Sequence, residues 1–600
     1  MSTYHAPLPE MQFVLTELAG LAQVAQLPGF EDATSDTVTA ILEEAAKFAT
    51  NVLDPLNIPG DREGAQRQPD GSVKTPAGFK DAYAQYCANG WNGLTKSAEF
   101  GGQGLPQVVA TAVEEMWHAA NLAFDLCPLL TQGAIEAIER NASQALKEKF
   151  LPRMVAGTWT GTMNLTEPQA GSDLAAVRSR AVPQGDGTYR LYGQKIFITF
   201  GEHDYTDNII HLVLARTPDA PQGVKGISLF VVPKVLVNDD GSLGRRNDVA
   251  CVSLEHKLGI HASPTAVLAY GDQGGAVGYL VGEENRGLEY MFVMMNLARF
   301  SVGLEGVGIS ERAYQRAVAY ARDRVQGKAV GLPKDAPAGT IIEHPDIRRM
   351  LMTMRAYTEA TRAVAYVTAA ALDNAARNPD PDARAKHQAF ADFMIPIVKG
   401  HSTEVAQEVA SLGLQVHGGM GFIEETGAAQ HLRDARIITI YEGTTGSQAN
   451  DVLGRKTARD AGAVARAVAA EIDKVATRLA ARPEPALKAI GVRLAAAEAD
   501  VQEALAWMVA AYGHDTRAAH AGAVAYLRLW GLAVGGWQMG RAALVAAERL
   551  AAGEGDPAFL HAKIATARYY ADGLLAQTSG LAHTVVHGGE SALALAAEAF

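Results

Sequence analysis

The sequence predicts an α+β fold, mainly α, with helical regions on either side of a central antiparallel β domain. Two changes of pattern predict this. Residues 36–158 carry a helical hydrophobic period interrupted by glycine-rich turns, and that period returns after Gly287. Between them, residues 159–282 carry short apolar runs bounded by Pro, Gly and Asp, which is typical of antiparallel strands. At 600 residues, the chain exceeds what one hydrophobic core normally organises, so several domains are expected.

The patterns divide the chain into five regions. An amphipathic helix is expected around Met11 to Ala25, and Ser35 is placed to cap the next helix. Turn-forming residues at 328–339 predict an inserted loop, and another break lies at 378–382. The Ala-rich end of the chain predicts a separate helical bundle, with breaks at 482–485, 553–557 and 588–589. The regions are an N-terminal extension (1–35), an N-terminal helical domain (36–158), the central β domain (159–282), a C-terminal helical domain (283–455) and an additional bundle of about four helices (456–600).

Composition favours an ordinary soluble protein. Apolar residues make up 48% and charged residues 20%, and no run approaches the ~18 to 20 apolar residues of a membrane span. The first twenty residues contain Glu10 and Glu17 but no Lys or Arg, so no signal peptide is expected. Three scattered cysteines, Cys87, Cys127 and Cys251, indicate neither a disulfide framework nor a zinc site. We expect a cytoplasmic protein.

Net charge argues against one class of partner. At −13, the chain lacks the excess of Lys and Arg that a nucleic-acid surface requires. We expect no nucleic acid among its partners.

The segment Tyr441–Thr444 is the strongest candidate for chemistry. It follows the isoleucines of residues 437–440, which are expected to be buried. A carboxylate at the edge of an apolar segment loses water, so its pKa rises and Glu442 becomes a plausible base at neutral pH. Gly443 permits a positive φ, and Thr444 offers a donor and an acceptor. Taken alone, the segment also fits an ordinary helix end with a solvated glutamate.

A predicted strand at 194–199 carries a second candidate. Side chains alternate between the faces of a strand, so Phe197 and Thr199 are expected on the same face. An aromatic ring beside a hydroxyl suits a planar heteroaromatic ligand, which the ring packs against and the hydroxyl hydrogen-bonds.

Three other patterns do not predict sites. The glycines of Gly303–Gly308 superficially match a dinucleotide loop, but no strand precedes them and their order is wrong. His203, His583 and His587 lack metal-ligand partners nearby in sequence, so no metal is expected. There is no Gly-x-Ser-x-Gly elbow to support a serine hydrolase.

Taken in order, several segments resemble the acyl-CoA dehydrogenase family, flavoenzymes that introduce a trans double bond between C2 and C3 of an acyl-CoA. The resemblance covers roughly residues 36–455, about 70% of the chain. Its motifs are Thr-Glu-Pro-x-Ala-Gly-Ser-Asp at 166–173, Lys-x-Phe-Ile-Thr at 195–199, Glu-His-Lys-Leu-Gly-Ile-His-Ala-Ser at 255–263, the Tyr320–Gly327 segment, Gln-Val-His-Gly-Gly-Met-Gly-Phe at 415–422 and Tyr-Glu-Gly-Thr at 441–444.

The resemblance implies the reaction and its base. Glu442 stands at the family's base position, where it takes the proton beside the thioester carbonyl while the N5 position of FAD accepts hydride from the β-carbon. The backbone N–H of Glu442 bonds the thioester oxygen in the manner of an oxyanion hole. The implied substrate-binding residues are Ser172, Asn296, Arg299, Tyr441 and Gly443, with Asn296 replacing the family's acidic residue.

The resemblance also implies an FAD site that two subunits build. Phe197 stands where many members have Trp, and Gly446 replaces a Gln found in several members. Five of the residues reach the FAD of the neighbouring subunit in the family: Arg324, Gln326, Gln415, Gly418 and Gly419. The full set of FAD-binding residues is Leu165, Thr166, Ser172, Phe197, Thr199, Arg324, Gln326, Gln415, Gly418, Gly419 and Thr444.

The long C-terminal bundle and the inserted loop resemble the bacterial branch that contains 3-methylmercaptopropionyl-CoA dehydrogenases and fatty acyl-CoA dehydrogenases of β-oxidation. We expect an acyl-CoA substrate, with 3-methylmercaptopropionyl-CoA as a candidate, electron-transfer flavoprotein as electron acceptor, and a homodimer. An acyl-CoA oxidase, which passes electrons to oxygen, is the alternative within the family. A flavin-containing DNA-associated protein is the alternative from another class, and the lack of a basic C-terminal stretch counts against it.

Overall fold

The computed structural model describes residues 3–600. The chain forms two compact units, one made of residues 3–46, 106–119 and 299–600, the other of residues 47–105 and 120–298. The second unit holds the β domain and the first holds most of the long helices. The α+β fold predicted from the sequence is therefore confirmed.

The β domain is built around an eight-stranded sheet. Its strands run in the order β10-β11-β5-β12-β7-β6-β3, with β4 added beside β5. All neighbours are antiparallel except β3 and β6, which are parallel. Two small sheets, β1–β2 and β8–β9, are not hydrogen-bonded into it. The strands are β1 (Gln66–Arg67), β2 (Val73–Lys74), β3 (Trp159–Asn164), β4 (Arg180–Pro183), β5 (Tyr189–Thr199), β6 (Asn208–Ala215), β7 (Ser228–Pro233), β8 (Val235–Val237), β9 (Leu243–Arg246), β10 (Val249–Leu254), β11 (Thr265–Tyr270) and β12 (Ala276–Leu280).

Strand β5 contains an irregularity that the period-two pattern did not predict. Lys195 pairs with Leu268 and Ile198 with Ala266, so two residues of β5 lie opposite one residue of β11. Phe197 lies in this bulge with a left-handed φ of 59°. Simple alternation therefore does not hold through Phe197. Ile198 packs in the core of the sheet, whereas the Phe197 side chain is 59% exposed.

Helices make up the rest of the fold. The N-terminal extension holds two short helices instead of one, because Gly20 breaks the run with a φ of 71°. The next helix begins at Ser35, and Thr34 rather than Ser35 accepts from the Thr37 N–H. The helices are α1 (Leu8–Phe13), α2 (Leu21–Val24), α3 (Ser35–Phe48), α4 (Asp54–Glu63), α5 (Phe79–Ala88), α6 (Gln107–Asn141), α7 (Gln144–Val155), α8 (Gly287–Asp323), α9 (Pro345–Arg377), α10 (Pro381–Val416), α11 (Ala428–Ile438), α12 (Thr445–Asn450), α13 (Ala463–Ala480), α14 (Pro485–His514), α15 (Thr516–Ala521), α16 (Ala523–Ala552), α17 (Pro557–Tyr569) and α18 (Thr578–Ala592).

Glycines let helix α8 approach helix α10 closely. A Cβ at Gly303 would lie 2.6 Å from a Val398 methyl, and one at Gly306 would lie 2.6 Å from the Ser402 carbonyl oxygen. The Gly303–Gly308 pattern is therefore a helix-packing surface, which agrees with its rejection as a dinucleotide loop. Glu305 lies within this glycine-rich stretch.

The C-terminal bundle is joined to the rest of its unit through buried charges. Helices α13–α18 pack against α9, α10 and α12 in the same unit. On α17, Lys563 Nζ lies 2.6 Å from Glu10 of α1 and 2.7 Å from Glu359 of α9. The predicted break at 588–589 is wrong, because α18 runs through it. Glycine at 589 serves close packing instead, since a Cβ there would lie 2.9 Å from the Ala518 carbonyl oxygen.

Helix α8 contains an 18-residue stretch that is apolar enough to cross a membrane by length and composition alone. Within that stretch, 72% of the residues are buried inside the structure, as in the core helix of a soluble protein. Among residues 3–600, no other helix meets this criterion.

Candidate active site

The Tyr441–Thr444 segment is a strained connection between α11 and α12. Glu442 has a left-handed φ of 53° and Gly443 follows with a φ of 88°. A left-handed backbone is costly for a residue with a side chain, and such strain gathers at functional sites. The expected burial of the preceding isoleucines is only partly met, because Ile438 is buried but Ile440 is 47% exposed. The Thr444 hydroxyl caps α12 by accepting from the Ser447 N–H at 3.2 Å.

Two side chains hold this strained turn. Lys399 of α10 donates from Nζ to the Gly443 carbonyl at 2.6 Å. Gln448 of α12 donates from Nε2 to the carbonyls of Glu442 at 3.1 Å and Gly443 at 3.2 Å. Both donors are buried, so water does not compete for these carbonyls. The backbone of Glu442 is therefore fixed from two helices.

The electrostatics of the turn suit a base at neutral pH. Burial raises the pKa of Glu442 to about 7, against the opposing effect of Arg299 and Lys399. Burial likewise lowers the pKa of Lys399 to about 8, against Glu442 and Glu305. A carboxyl with a pKa near the working pH combines a useful ionised fraction with strong affinity for a proton.

Arg299 was expected to contact the substrate, and the structure places it in the same charged environment. Its Nη1 lies 3.3 Å from Asp451, and Asp451 also pairs with Arg455 at 2.7 Å. The Nε of Arg299 is buried and has no hydrogen-bond partner in the part of the chain that the structure describes. A ligand oxygen is therefore able to satisfy it. Asn296 is exposed on α8.

The structure adds Glu305, which sequence reasoning missed. It is fully buried in α8, and its Oε2 accepts a short hydrogen bond from the Tyr441 hydroxyl. Burial raises its pKa to about 8, against the Tyr441 hydrogen bond and Lys399. The signal in the sequence was a lone acidic residue within a small, apolar helical stretch. Nothing local linked it to Tyr441, because the two lie far apart in the chain.

Glu424 and Glu425 are poor alternatives for the base. Both are exposed, and Glu424 pairs with Arg433 at 2.9 Å.

In the other unit, a buried ion pair holds the loop that carries Leu165 and Thr166. Lys195 of β5 lies 2.8 Å from the Glu167 carboxylate and donates to the Leu165 carbonyl at 3.1 Å. Glu167 also accepts from the backbone N–H groups of Arg178 and Ser179, at 2.7 and 3.0 Å. Burial opposes its ionisation, but Lys195 and these hydrogen bonds lower its pKa to about 2. The loop is therefore tied to β5 through a satisfied charge pair.

Phe197, Thr199 and Ser172 lie around this loop and strand. Phe197 holds a strained backbone and exposes most of its ring, although burying an aromatic ring is favourable. An outward-facing ring kept at a cost in strain fits a planar ligand that packs on it. Thr199 is partly buried and pairs with Thr265 of β11. Ser172 is exposed in the loop that follows Glu167.

The residues assigned to a neighbouring subunit's FAD lie together in the first unit. The rings of Tyr320 and His417 stack at 4.4 Å, which joins the end of α8 to the glycine-rich segment after α10. Gly418 has a φ of 58°, and a Cβ there would meet open space. The exposed residues of this surface are Arg324, Gln326, Gln415, Gly418 and Gly419.

Among residues 3–600, no cluster of three or more His, Cys, Asp and Glu has the geometry of a metal site. His203 is buried and hydrogen-bonds Thr160 at 2.9 Å. The ring centroids of His583 and His587 lie 4.6 Å apart on α18.

Four family descriptions match consecutive parts of the chain. The N-terminal domain of acyl-CoA dehydrogenase matches residues 35–158, the middle domain 162–272 and the C-terminal domain 285–457. A fourth, described as acetyl-CoA dehydrogenase C-terminal like, matches residues 468–596.

Individual proteins extend this likeness over the whole chain. The chain is 52% identical to 3-methylmercaptopropionyl-CoA dehydrogenase of Ruegeria pomeroyi, over 98% of this chain and 99% of that protein. It is 35% identical to the broad-specificity linear acyl-CoA dehydrogenase FadE5 of Mycobacterium tuberculosis, over 96% of each. An acyl-CoA dehydrogenase of Bacillus anthracis, solved in complex with FAD, shares the fold with a TM-score of 0.74 at 21% identity, over 96% of this chain and 91% of that one. The chain therefore belongs to the acyl-CoA dehydrogenase family, which consists of FAD-dependent oxidoreductases.

Proposed function

We propose that Glu442 is the base that removes the proton beside the thioester carbonyl of an acyl-CoA. The observation that carries this is the pKa of its carboxyl, which is about 7. The backbone that carries this carboxyl is strained and is held by hydrogen bonds from two helices. Arg299 and Lys399 favour its ionised form, and burial favours the proton that it receives. Anaerobic mixing with an acyl-CoA tests this, because flavin bleaching reports the reductive half-reaction directly. Bleaching that is independent of the Glu442 carboxyl would contradict the proposal.

The residues of both units fit the family's cofactor. We assign the flavin ring to Leu165, Thr166, Phe197 and Thr199, because the Lys195–Glu167 pair holds the loop and Phe197 presents an exposed ring. FAD, when bound, supplies the acceptor for the hydride from the β-carbon. Ser172 is assigned to the phosphates and to CoA, and the Arg324–Gly419 surface residues to the FAD of a second subunit. Released flavin that chromatographs as FMN would contradict these assignments.

We propose a short, linear acyl group, with 3-methylmercaptopropionyl-CoA as the first candidate. The support is 52% identity, over nearly the full length of both chains, to a relative named for that substrate. The broad-specificity linear relative supports fatty acyl-CoA thioesters as the second candidate. A panel of thioesters assayed with an artificial electron acceptor separates the two. We expect the highest kcat/KM for 3-methylmercaptopropionyl-CoA, and a higher value for octanoyl-CoA would reverse the order.

We further propose electron-transfer flavoprotein as the acceptor, in the cytoplasm and in a β-oxidation type of reaction. Family membership supports the acceptor, and the three unbridged cysteines fit a reducing compartment. Stopped-flow reoxidation of the reduced enzyme tests the oxidase alternative. Oxygen is expected to reoxidise the product-bound enzyme slowly, and electron-transfer flavoprotein to do so rapidly.

A homodimer completes this proposal. Next to Gly418 and Gly419, three apolar side chains stay exposed in the single chain: Met420 at 47%, Phe422 at 83% and Ile423 at 43%. An exposed apolar cluster beside residues assigned to a second subunit's FAD is typical of a protein interface. Light scattering is expected to give a dimer, and Phe422→Asp is expected to weaken it together with FAD binding. A wild-type monomer that retains FAD would contradict the proposal.

A further inference from the structure

Glu305 is a buried acid that the proposed reaction leaves without a role. It is fully buried, yet the structure gives it no cation within ion-pair distance among the described residues. Its Oε1 is buried without a hydrogen-bond partner, and only Oε2 is engaged, by the Tyr441 hydroxyl. A buried carboxyl that is half satisfied reduces stability, so it requires an explanation.

The hydrogen bond from Tyr441 explains why a carboxyl is buried at position 305. Tyr441 precedes the strained Glu442, and Lys399 and Gln448 hold the carbonyls on the other side of the strain. Glu305 therefore provides a third side-chain contact to the turn, on the side that precedes Glu442. A misplacement of about 1 Å between reacting groups can cost about a hundredfold in rate, so the position of the base matters for proton transfer.

The charge of Glu305 is compatible with this task. The groups that act on its carboxyl are Tyr441 and Lys399, which favour ionisation, and Glu442, which opposes it, while burial raises its pKa to about 8. At the Glu442 carboxyl, Arg299 of α8 and Lys399 of α10 favour ionisation. At pH 7 Glu305 is therefore mostly neutral. A neutral acceptor holds the Tyr441 hydroxyl without repelling an ionised Glu442.

We infer that Glu305 is a positioning residue for the dehydrogenation: by accepting the Tyr441 hydroxyl it fixes the turn from which Glu442 takes the substrate proton. The inference rests on Glu442 being the base.

The test is a double-mutant cycle on flavin bleaching, with butyryl-CoA and 3-methylmercaptopropionyl-CoA as substrates. Glu305→Leu fills a similar volume but removes the acceptor, and Tyr441→Phe removes the donor. Each is expected to slow bleaching by about ten- to a hundredfold at saturating substrate, with FAD content and thioester affinity retained. The double variant is expected to be no slower than either single one, because both remove the same contact.

Two matched variants separate positioning from mere folding. Glu305→Gln keeps a neutral acceptor, so its rate is expected to recover to within about threefold of wild type, with the same midpoint in the pH profile. Glu425→Gln removes an exposed carboxyl of the same unit, and it is expected to change neither quantity. If Glu305→Leu does not bind FAD, Tyr441→Phe against wild type decides the question alone.

Additive losses in the cycle, or a Tyr441→Phe rate equal to wild type, would overturn the inference. A midpoint that falls by about half a unit or more in Glu305→Gln would also overturn it, because Glu305 would then be charged in the working enzyme. Fast bleaching by Glu442→Gln would instead show that the base lies elsewhere, which is failure of the proposed function rather than of this contact alone.

Discussion

Each unit contains a buried lysine that lies near a strained residue and donates to a backbone carbonyl. The two lysines differ in whether a carboxylate lies within ion-pair distance. Lys195 donates to the Leu165 carbonyl and pairs with Glu167 at 2.8 Å. Lys399 donates to the Gly443 carbonyl, and none of the described carboxylates lies within ion-pair distance of it. Burial lowers the pKa of both lysines to about 8.

The two lysines differ in how fully they compensate the carboxyls around them. Around Lys195 the carboxylate of Glu167 is satisfied and its pKa falls to about 2, so this carboxylate stays ionised at neutral pH and holds the loop. Around Lys399 the nearby carboxyls are under-compensated, and burial raises the pKa of Glu442 to about 7 and of Glu305 to about 8. Complete pairing yields a fixed scaffold, whereas incomplete pairing leaves a carboxyl that exchanges a proton near neutrality.

The largest effect is expected at the under-compensated site itself. Glu442→Gln keeps the size of the side chain but removes the basic oxygen, so bleaching is expected to slow by about 10³ to 10⁴. FAD content and thermal stability are expected to stay close to wild type. Glu425→Gln, at an exposed carboxyl in the same unit, serves as the control. A larger loss in the control than in Glu442→Gln would place the base elsewhere.

Breaking the Lys195–Glu167 pair is expected to lower the free energy of unfolding. Lys195→Met leaves Glu167 buried without its cation, which typically costs about 3 to 5 kcal/mol. The free energy of unfolding is expected to fall accordingly, and FAD is expected to dissociate more readily as the loop loosens. Lys474→Met is the control, because Lys474 pairs with Glu471 on an exposed helix, where such a pair contributes about 0 to 1 kcal/mol. Equal losses in both variants would remove the distinction between the two lysines.

Removing Lys399 is expected to shift a titration. Lys399 favours the ionised form of Glu442, so Lys399→Met raises the pKa of Glu442 further. Because the base acts when ionised, the rise of the bleaching rate with pH is expected to move upward by about one unit. Lys456→Met, which removes a partly exposed lysine paired with Asp392 at 3.6 Å, is expected to leave it in place. A downward shift in Lys399→Met would contradict the assigned sign.

The smallest effect is expected at the strained ring. Phe197→Gly relieves the left-handed backbone but removes the aromatic face, so the apoprotein is expected to keep its stability. Its FAD dissociation constant is expected to rise by about two- to tenfold, the typical worth of an aromatic contact. Phe197→Trp restores a ring and is expected to bind at least as tightly as wild type. Unchanged FAD binding in Phe197→Gly would exclude the ring from the site.

The sequence predicted the parts whose signal is local. Helical and strand periods located the β domain, and the ordered motifs identified the family and pointed to Glu442. Four features escaped because their causes are distant or geometric. Glu305 and Lys399 contact the Tyr441–Thr444 turn only because α8 and α10 pack around it. The bulge at Phe197 depends on its register with β11. Gly589, read as a helix break, serves close packing inside α18.

The most direct test of the central claim is the pH dependence of flavin bleaching in the wild-type enzyme. The second-order rate constant for bleaching at limiting thioester, which reports ionisations of the free enzyme, is measured anaerobically from about pH 5 to about pH 9, with FAD retention verified at each pH. Burial raises the pKa of Glu442 to about 7, and the base must be ionised, so the rate is predicted to rise with pH through a midpoint near that value. A rate that is already at its plateau near pH 5, as for an ordinary solvated glutamate, would contradict the account.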